Sequence, residues 1–191
     1  MLERGWQPNR SSAKGQSARS GGSRGQCGPG SALSCTAPAT PTVSQTEGPY
    51  YKAGAPEKSN LVESGMAGTR LTLTGDVVDT SCRPLANAKL DVWQADAIGA
   101  YENSGYRLRG YVMADAAGRF TIETVIPGQY PGRTEHIHVK VTPAGGTTLT
   151  TQLYFPGQAE DPAGIFRPEL LLTMTPSGSG YTGTYLFVLR V

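Results

Sequence analysis

Beyond Gly68 the chain repeats one pattern: apolar and polar residues alternate over a short run, and a cluster of Gly, Pro, Asp or Asn ends it. Leu71 and Leu73 alternate with Thr72 and Thr74, Leu90 and Val92 flank Asp91, and Phe120 and Ile122 alternate with Thr121 and Glu123. Further runs are Ile137, Val139 and Val141, then Leu149 to Phe155, then Tyr185 to Val191. A period of two turns alternate side chains to opposite faces and marks half-buried strands. No segment carries a sustained helical stripe, so the helices that parallel crossovers require are not expected. The pattern predicts an all-β fold, a two-sheet, mainly antiparallel β-sandwich of immunoglobulin-like or prealbumin-like type with little helix. No internal repeat of fixed period is present, which disfavours a propeller or solenoid.

A chain of 191 residues suffices for one domain with its own core. Residues 1–45 are rich in Ser, Gly, Gln and Arg and poor in aromatic residues, so they read as a disordered tail, and 46–191 as the folded domain. Met1 to Thr42 holds Arg4, Arg10, Lys14, Arg19 and Arg24 against Glu3 alone, a net +4 within a chain total of +2, which leaves the remainder at −2. A mildly acidic domain offers no basic face to a phosphate backbone, so nucleic acid is not an expected partner. No apolar run approaches bilayer length, and the basic start lacks the apolar stretch of a signal peptide, so no membrane partner is expected and the compartment stays open.

Cys27, Cys35 and Cys82 match no zinc-binding spacing. Cys35 sits just before the folded part and Cys82 in a turn between strands. The two can pair in an oxidising compartment or stay thiols in a reducing one.

His136 and His138 are the only histidines, and they lie two apart on a strand whose alternate positions are Ile137, Val139 and Val141. Both imidazoles therefore face one way, roughly 6.5–7 Å apart along the strand, a spacing from which two rings can converge on one cation while the apolar triplet packs the other face. An isolated His-x-His is more often a pair of ordinary histidines. Shortly before it, the turn-rich Pro127-Gly128-Gln129-Tyr130-Pro131-Gly132 can aim a tyrosine, and Tyr101 lies in the Gly-containing loop after the strand Lys89 to Gln94.

Four segments point to a family. Gln45-Thr46-Glu47-Gly48-Pro49-Tyr50, Leu90-Asp91-Val92-Trp93-Gln94-Ala95-Asp96 leading to Gly99-Ala100-Tyr101, Arg133-Thr134-Glu135-His136-Ile137-His138, and Thr151-Gln152-Leu153-Tyr154-Phe155 resemble, in order and spacing, the intradiol ring-cleavage dioxygenases, of the protocatechuate 3,4-dioxygenase and catechol 1,2-dioxygenase type. The resemblance covers most of the chain from about Thr46 onward. It implies Tyr101, Tyr130, His136 and His138 as ligands of a non-haem ferric ion, Arg133 as the catalytic arginine, and Gln152 beside the bound diol. Tyr50 and Trp93 would line the substrate pocket, and Tyr130 would leave the metal and take a substrate proton. The implied substrates are a small aromatic diol and dioxygen, with both oxygen atoms entering a muconate-type diacid. A hard trivalent cation suits phenolate oxygen and imidazole better than thiolate.

Catechol-type members pair subunits through a helical segment before the sandwich. The sequence before Thr46 does not resemble one, so dimerisation by that route is not expected and the oligomeric state stays open. The chain is closer to the protocatechuate-type or single-domain exported members, which favours export slightly over the cytoplasm. Two rivals remain: a non-catalytic sandwich module that uses its tyrosines for stacking, and a zinc hydrolase built on His136, His138 and Glu135. Against the second, strand alternation turns Glu135 to the opposite face.

Overall fold

The computed structural model describes residues 33–158 and 164–191. The expected tail up to residue 32, with Cys27, lies outside the described residues. Among the described residues eight strands form: β1 (Arg70–Asp79), β2 (Lys89–Gln94), β3 (Arg109–Met113), β4 (Arg119–Val125), β5 (His136–Thr142), β6 (Leu149–Tyr154), β7 (Thr173–Ser177) and β8 (Gly180–Leu189), with one 3-10 turn at Pro168–Leu170. They make two four-stranded sheets, ordered β4-β1-β8-β7 and β3-β2-β5-β6. No helix among the described residues is long and apolar enough to cross a membrane.

The alternating runs are where the sequence puts them, except that the last strand, expected at Tyr185 to Val191, spans Gly180–Leu189, and their apolar positions meet between the sheets. Leu71, Leu73, Phe120, Ile122 and Phe187 from one sheet join Leu90, Val92, Ile137, Val139, Val141 and Leu153 from the other in a single buried cluster. Two strands escape the pattern. On β3 the inward position 110 is glycine, which leaves Val112 as the main apolar signal. Strand β7 is a mostly exposed edge containing Pro176, tolerable there because an edge strand has an unpaired side. Pairing is antiparallel except between β1 and β8, which run parallel. The last strand thus lies between the first and its own hairpin partner β7.

The stretch from 33 to 45, expected to be disordered, is instead bound to the sandwich. Ala39 N donates to Thr80 O at 2.8 Å, Thr42 N to Val188 O at 2.9 Å and Gln45 N to Thr150 O at 2.8 Å, so the segment reaches strands of both sheets. Thr151 Oγ1 donates to Val43 O at 2.8 Å. Backbone hydrogen bonding, which composition does not report, overrides the polar character of this segment. Cys35 and Cys82 form a disulfide that fastens its start.

That disulfide closes a loop of sequence separation 47, which constrains the unfolded chain by about 4 kcal/mol in the chain-entropy model. Reduction, or Cys82→Ser, is expected to lower the melting temperature by roughly 5–15 °C in a thermal scan. An unchanged melting temperature would show that the bridge contributes nothing to the fold.

Candidate metal centre

The site grows from one row of cross-strand neighbours. Arg109 on β3 lies opposite Trp93 on β2, Trp93 opposite His138 on β5, and His138 opposite Gln152 on β6. Directly paired residues project from the same face of a sheet. Because Ile137, Val139 and Val141 fill the core side of β5, His136 and His138 project from the outer face. They are nevertheless buried, at 5% and 3% exposure, because loops cover them.

His136 Nδ1 is 2.6 Å from Thr134 O. A carbonyl only accepts, so Nδ1 carries the proton and a neutral ring presents a bare lone pair at Nε2. That atom faces His138 Nε2 at 3.0 Å and the Tyr101 hydroxyl at 3.3 Å. Burial, then the neighbouring His136, Arg133 and Arg109, push the His138 pKa well down and hold the ring neutral. Its Nδ1 finds no hydrogen-bond partner among the described residues. Burial drives the Tyr101 phenol well above its ordinary value, against the opposing pull of Arg133 and Arg109. An ionised Tyr101 therefore needs a further positive charge close by. Two imidazoles and a phenol gathered in this way fit a hard cation. Among the described residues no three His, Cys, Asp or Glu side chains gather to hold a metal, so a metal on the two imidazoles would draw further protein ligands from tyrosine rather than Glu135.

Tyr130 joins the same cluster. Its ring centroid is 5.9 Å from that of Tyr101 and 5.5 Å from that of Tyr50, and its hydroxyl shares a 2.7 Å hydrogen bond with the Tyr50 hydroxyl. That bond raises the Tyr50 pKa. Tyr50 also stacks on Tyr101, with centroids 4.3 Å apart and planes 10° from parallel. Arg133 Nη2 donates to Gln152 Oε1 at 2.7 Å. Gln152 is further fixed by its own donation to Thr46 O at 2.8 Å and by the Tyr154 hydroxyl at 3.0 Å. It thus holds Arg133 in place and is itself fully buried.

Trp93, expected to line the substrate pocket, lies beside His138. It is 1% exposed, and its ring stacks on His138 with centroids 4.8 Å apart and planes 6° from parallel. Tyr51 packs against the indole at a tilt of 59°, with centroids 4.8 Å apart. The indole therefore backs the imidazole.

The loops bearing Tyr101 and Tyr130 are locked together by features the sequence reading missed. Asp96 Oδ1 accepts the amides of Ile98 and Ala100, both at 3.0 Å, and Asp96 O accepts from Gly128 N at 2.8 Å. A Cβ at Gly99 would lie 2.1 Å from Gln129 O, and one at Gly128 would lie 2.5 Å from Ala97 O. The two backbones touch where both glycines fall. The signal was available, since each glycine lies two residues before its tyrosine, but a close approach between loops is not visible in either loop alone.

The chain is similar to known dioxygenases. A family model described as dioxygenase matches residues 46–180. The chain is 35% identical over 132 residues to the protocatechuate 3,4-dioxygenase beta chain of Burkholderia cepacia, covering 58% of this chain and 56% of that protein. It is 30% identical over 140 residues to catechol 1,2-dioxygenase of Acinetobacter baylyi, covering 58% of this chain and 45% of the relative. The chain thus spans about half the length of these curated relatives. Among solved structures, the dioxygenase domain of a dioxygenase and carbohydrate-binding protein fusion from Streptomyces sp. SirexAA-E superposes with a TM-score of 0.75 at 46% identity, over 80% of this chain and 99% of that one. 3-Chlorocatechol 1,2-dioxygenase from Rhodococcus opacus 1CP gives 0.72 at 34%, over 78% and 72%.

Gly99 and Gly132 both have positive φ, at 85° and 78°, but a Cβ at Gly132 meets nothing within 4 Å. Gly99→Ala is expected to cost about 1–3 kcal/mol more than Gly132→Ala in urea denaturation, since only it adds overlap to the backbone strain. Equal costs would show that the two loops do not need their contact.

Proposed function

Because the chain belongs to the intradiol ring-cleavage dioxygenase family, we propose that it is a non-haem ferric enzyme that inserts both atoms of dioxygen between the hydroxyl-bearing carbons of a catechol-type diol. Tyr101, Tyr130, His136 and His138 would hold the metal. The supporting observation is that His136 Nε2 lies 3.0 Å from His138 Nε2 and 3.3 Å from the Tyr101 hydroxyl in a buried setting. A ferric ion there would bind the diol oxygens, lower their pKa and draw electron density from the ring.

The protein groups then have separable tasks. Tyr130, ionised by the metal it would hold, would accept a proton from the diol at its phenolate oxygen, and Tyr50, bonded to that oxygen at 2.7 Å, steadies it and closes the pocket with its ring. Arg133 presents a permanent positive charge to the electron-rich ring, already aimed by Gln152, so no reorganisation is needed as negative charge develops. Trp93 keeps His138 in plane from behind. Stacking and burial exclude water from the imidazole side.

Oxygen uptake by ferric-loaded chain, assayed against catechol, protocatechuate and hydroxyquinol, is expected for at least one diol, with both oxygen atoms recovered in a ring-opened diacid. The loaded protein is expected to be red to burgundy from phenolate-to-ferric charge transfer. Tyr130→Phe should shift that absorption, and Arg133→Gln should lower kcat by roughly 10²-fold. Diol binding without oxygen consumption would indicate a binding module, and a colourless protein with full ferric occupancy would exclude tyrosinate ligands.

A further inference from the structure

Arg109 is among the largest fully buried side chains, at 1% exposure, although taking a guanidinium out of water is costly unless its donors are satisfied. Its hydrogen bonds all go to neutral oxygens. Nη1 donates to Tyr50 O at 2.5 Å, and Nη2 and Nε donate to Glu102 O at 2.8 Å and 3.3 Å. Nη2 also lies 3.5 Å from Asn103 Oδ1. The Glu102 carboxylate itself is occupied by the Ser104 hydroxyl and by the amides of Ser104, Gly105 and Arg107. Among the described residues no direct ion pair therefore explains why a cation occupies this position, although the charge of Glu102 favours it at longer range.

What the guanidinium joins does explain it. Tyr50 belongs to the segment that leads over the outer face of the sheet, and Glu102 directly follows Tyr101 in another loop. The two tyrosine rings stack at 4.3 Å, yet among the described contacts no backbone hydrogen bond joins residues 48–52 to residues 100–106. Arg109 starts β3 at the end of the row that continues through Trp93, His138 and Gln152. It therefore carries the register of the sheet into both loops at once. A planar fork with donors on separate nitrogens can hold two carbonyls in a fixed relation, whereas a lysine ammonium is a single point that satisfies one geometry at a time. Lys52 Nζ adds a lighter tie from the first loop to Ser104 O at 2.8 Å.

We propose that Arg109 is a positioning residue: its guanidinium clamps the carbonyls of Tyr50 and Glu102, fixes the stacked Tyr50 and Tyr101 pair, and so sets where the Tyr101 hydroxyl meets the two imidazoles. The consequence for catalysis rests on the function proposed above; the clamp itself does not. Arg109 acts through Tyr101 and Tyr50 and touches no reacting atom.

The test compares the full chain with Arg109→Lys and Arg109→Met, first free of metal and then loaded with ferric ion. In the metal-free protein, amide hydrogen exchange in residues 48–54 and 101–107 should rise together by at least tenfold in Arg109→Met, while β1 and β8 exchange as before. Arg109→Lys, which keeps the charge and loses the fork, should loosen at least one of the two segments and should fold even if Arg109→Met does not. With ferric ion, both variants should show a shifted visible absorption, and kcat should fall at least tenfold while KM changes less than threefold. Unchanged exchange in both segments, or a rise shared equally by β1 and β8, would overturn the clamp. Looser segments with unaltered absorption and kcat would overturn its role in placing Tyr101. Should the unmutated chain take up ferric ion without colour or oxygen consumption, the functional proposal fails by itself, and the metal-free exchange still decides the clamp.

Discussion

On β5 the alternation of side chains separates two tasks that would otherwise compete for the same strand. Ile137, Val139 and Val141 bury completely and bind this sheet to its partner, while His136 and His138 occupy the outer face. A slip of one residue would exchange the two sets, placing imidazoles in an apolar core and aliphatic groups at the site. Burial of the triplet therefore fixes the register, and the register brings Arg109, Trp93, His138 and Gln152 into one line across four strands.

The rest of the site consists of loops anchored to that line. Trp93 backs His138, Gln152 aims Arg133, and Arg109 reaches into the loops of Tyr50 and Tyr101. Asp96 and the two glycines bring the Tyr130 loop against the Tyr101 loop. Electrostatics follows from the same enclosure. Burial keeps His138 neutral and Tyr101 protonated, so the cluster is a set of donors short of positive charge. A cation in their midst would reverse the balance for the phenol and satisfy the lone pairs of both rings.

Legibility in the sequence followed the range of the interaction. Strand β2 was readable to its ends because Leu90 and Val92 alternate cleanly, and β5 because its apolar triplet is unbroken. Strand β3 was missed where Gly110 replaces an apolar residue, and with it the buried Arg109, whose partners lie 59 and 7 residues away. The disorder expected of 33–45 failed because composition measures side chains, whereas that segment is bound by its backbone and a disulfide. Tyrosine by itself names no role; motif order suggested Tyr101 and Tyr130, and proximity to each other and to Tyr50 came from the folded loops. Trp93 was expected to line the substrate pocket; its position behind the imidazole depends on cross-strand pairing that no local pattern reveals.

The most direct measurement is a crystal structure of the ferric-loaded chain with data collected on both sides of the iron absorption edge. A single anomalous peak bounded by Tyr101, Tyr130, His136 and His138 is the predicted result. Iron located elsewhere, or held by the two histidines with neither tyrosine, would contradict the account.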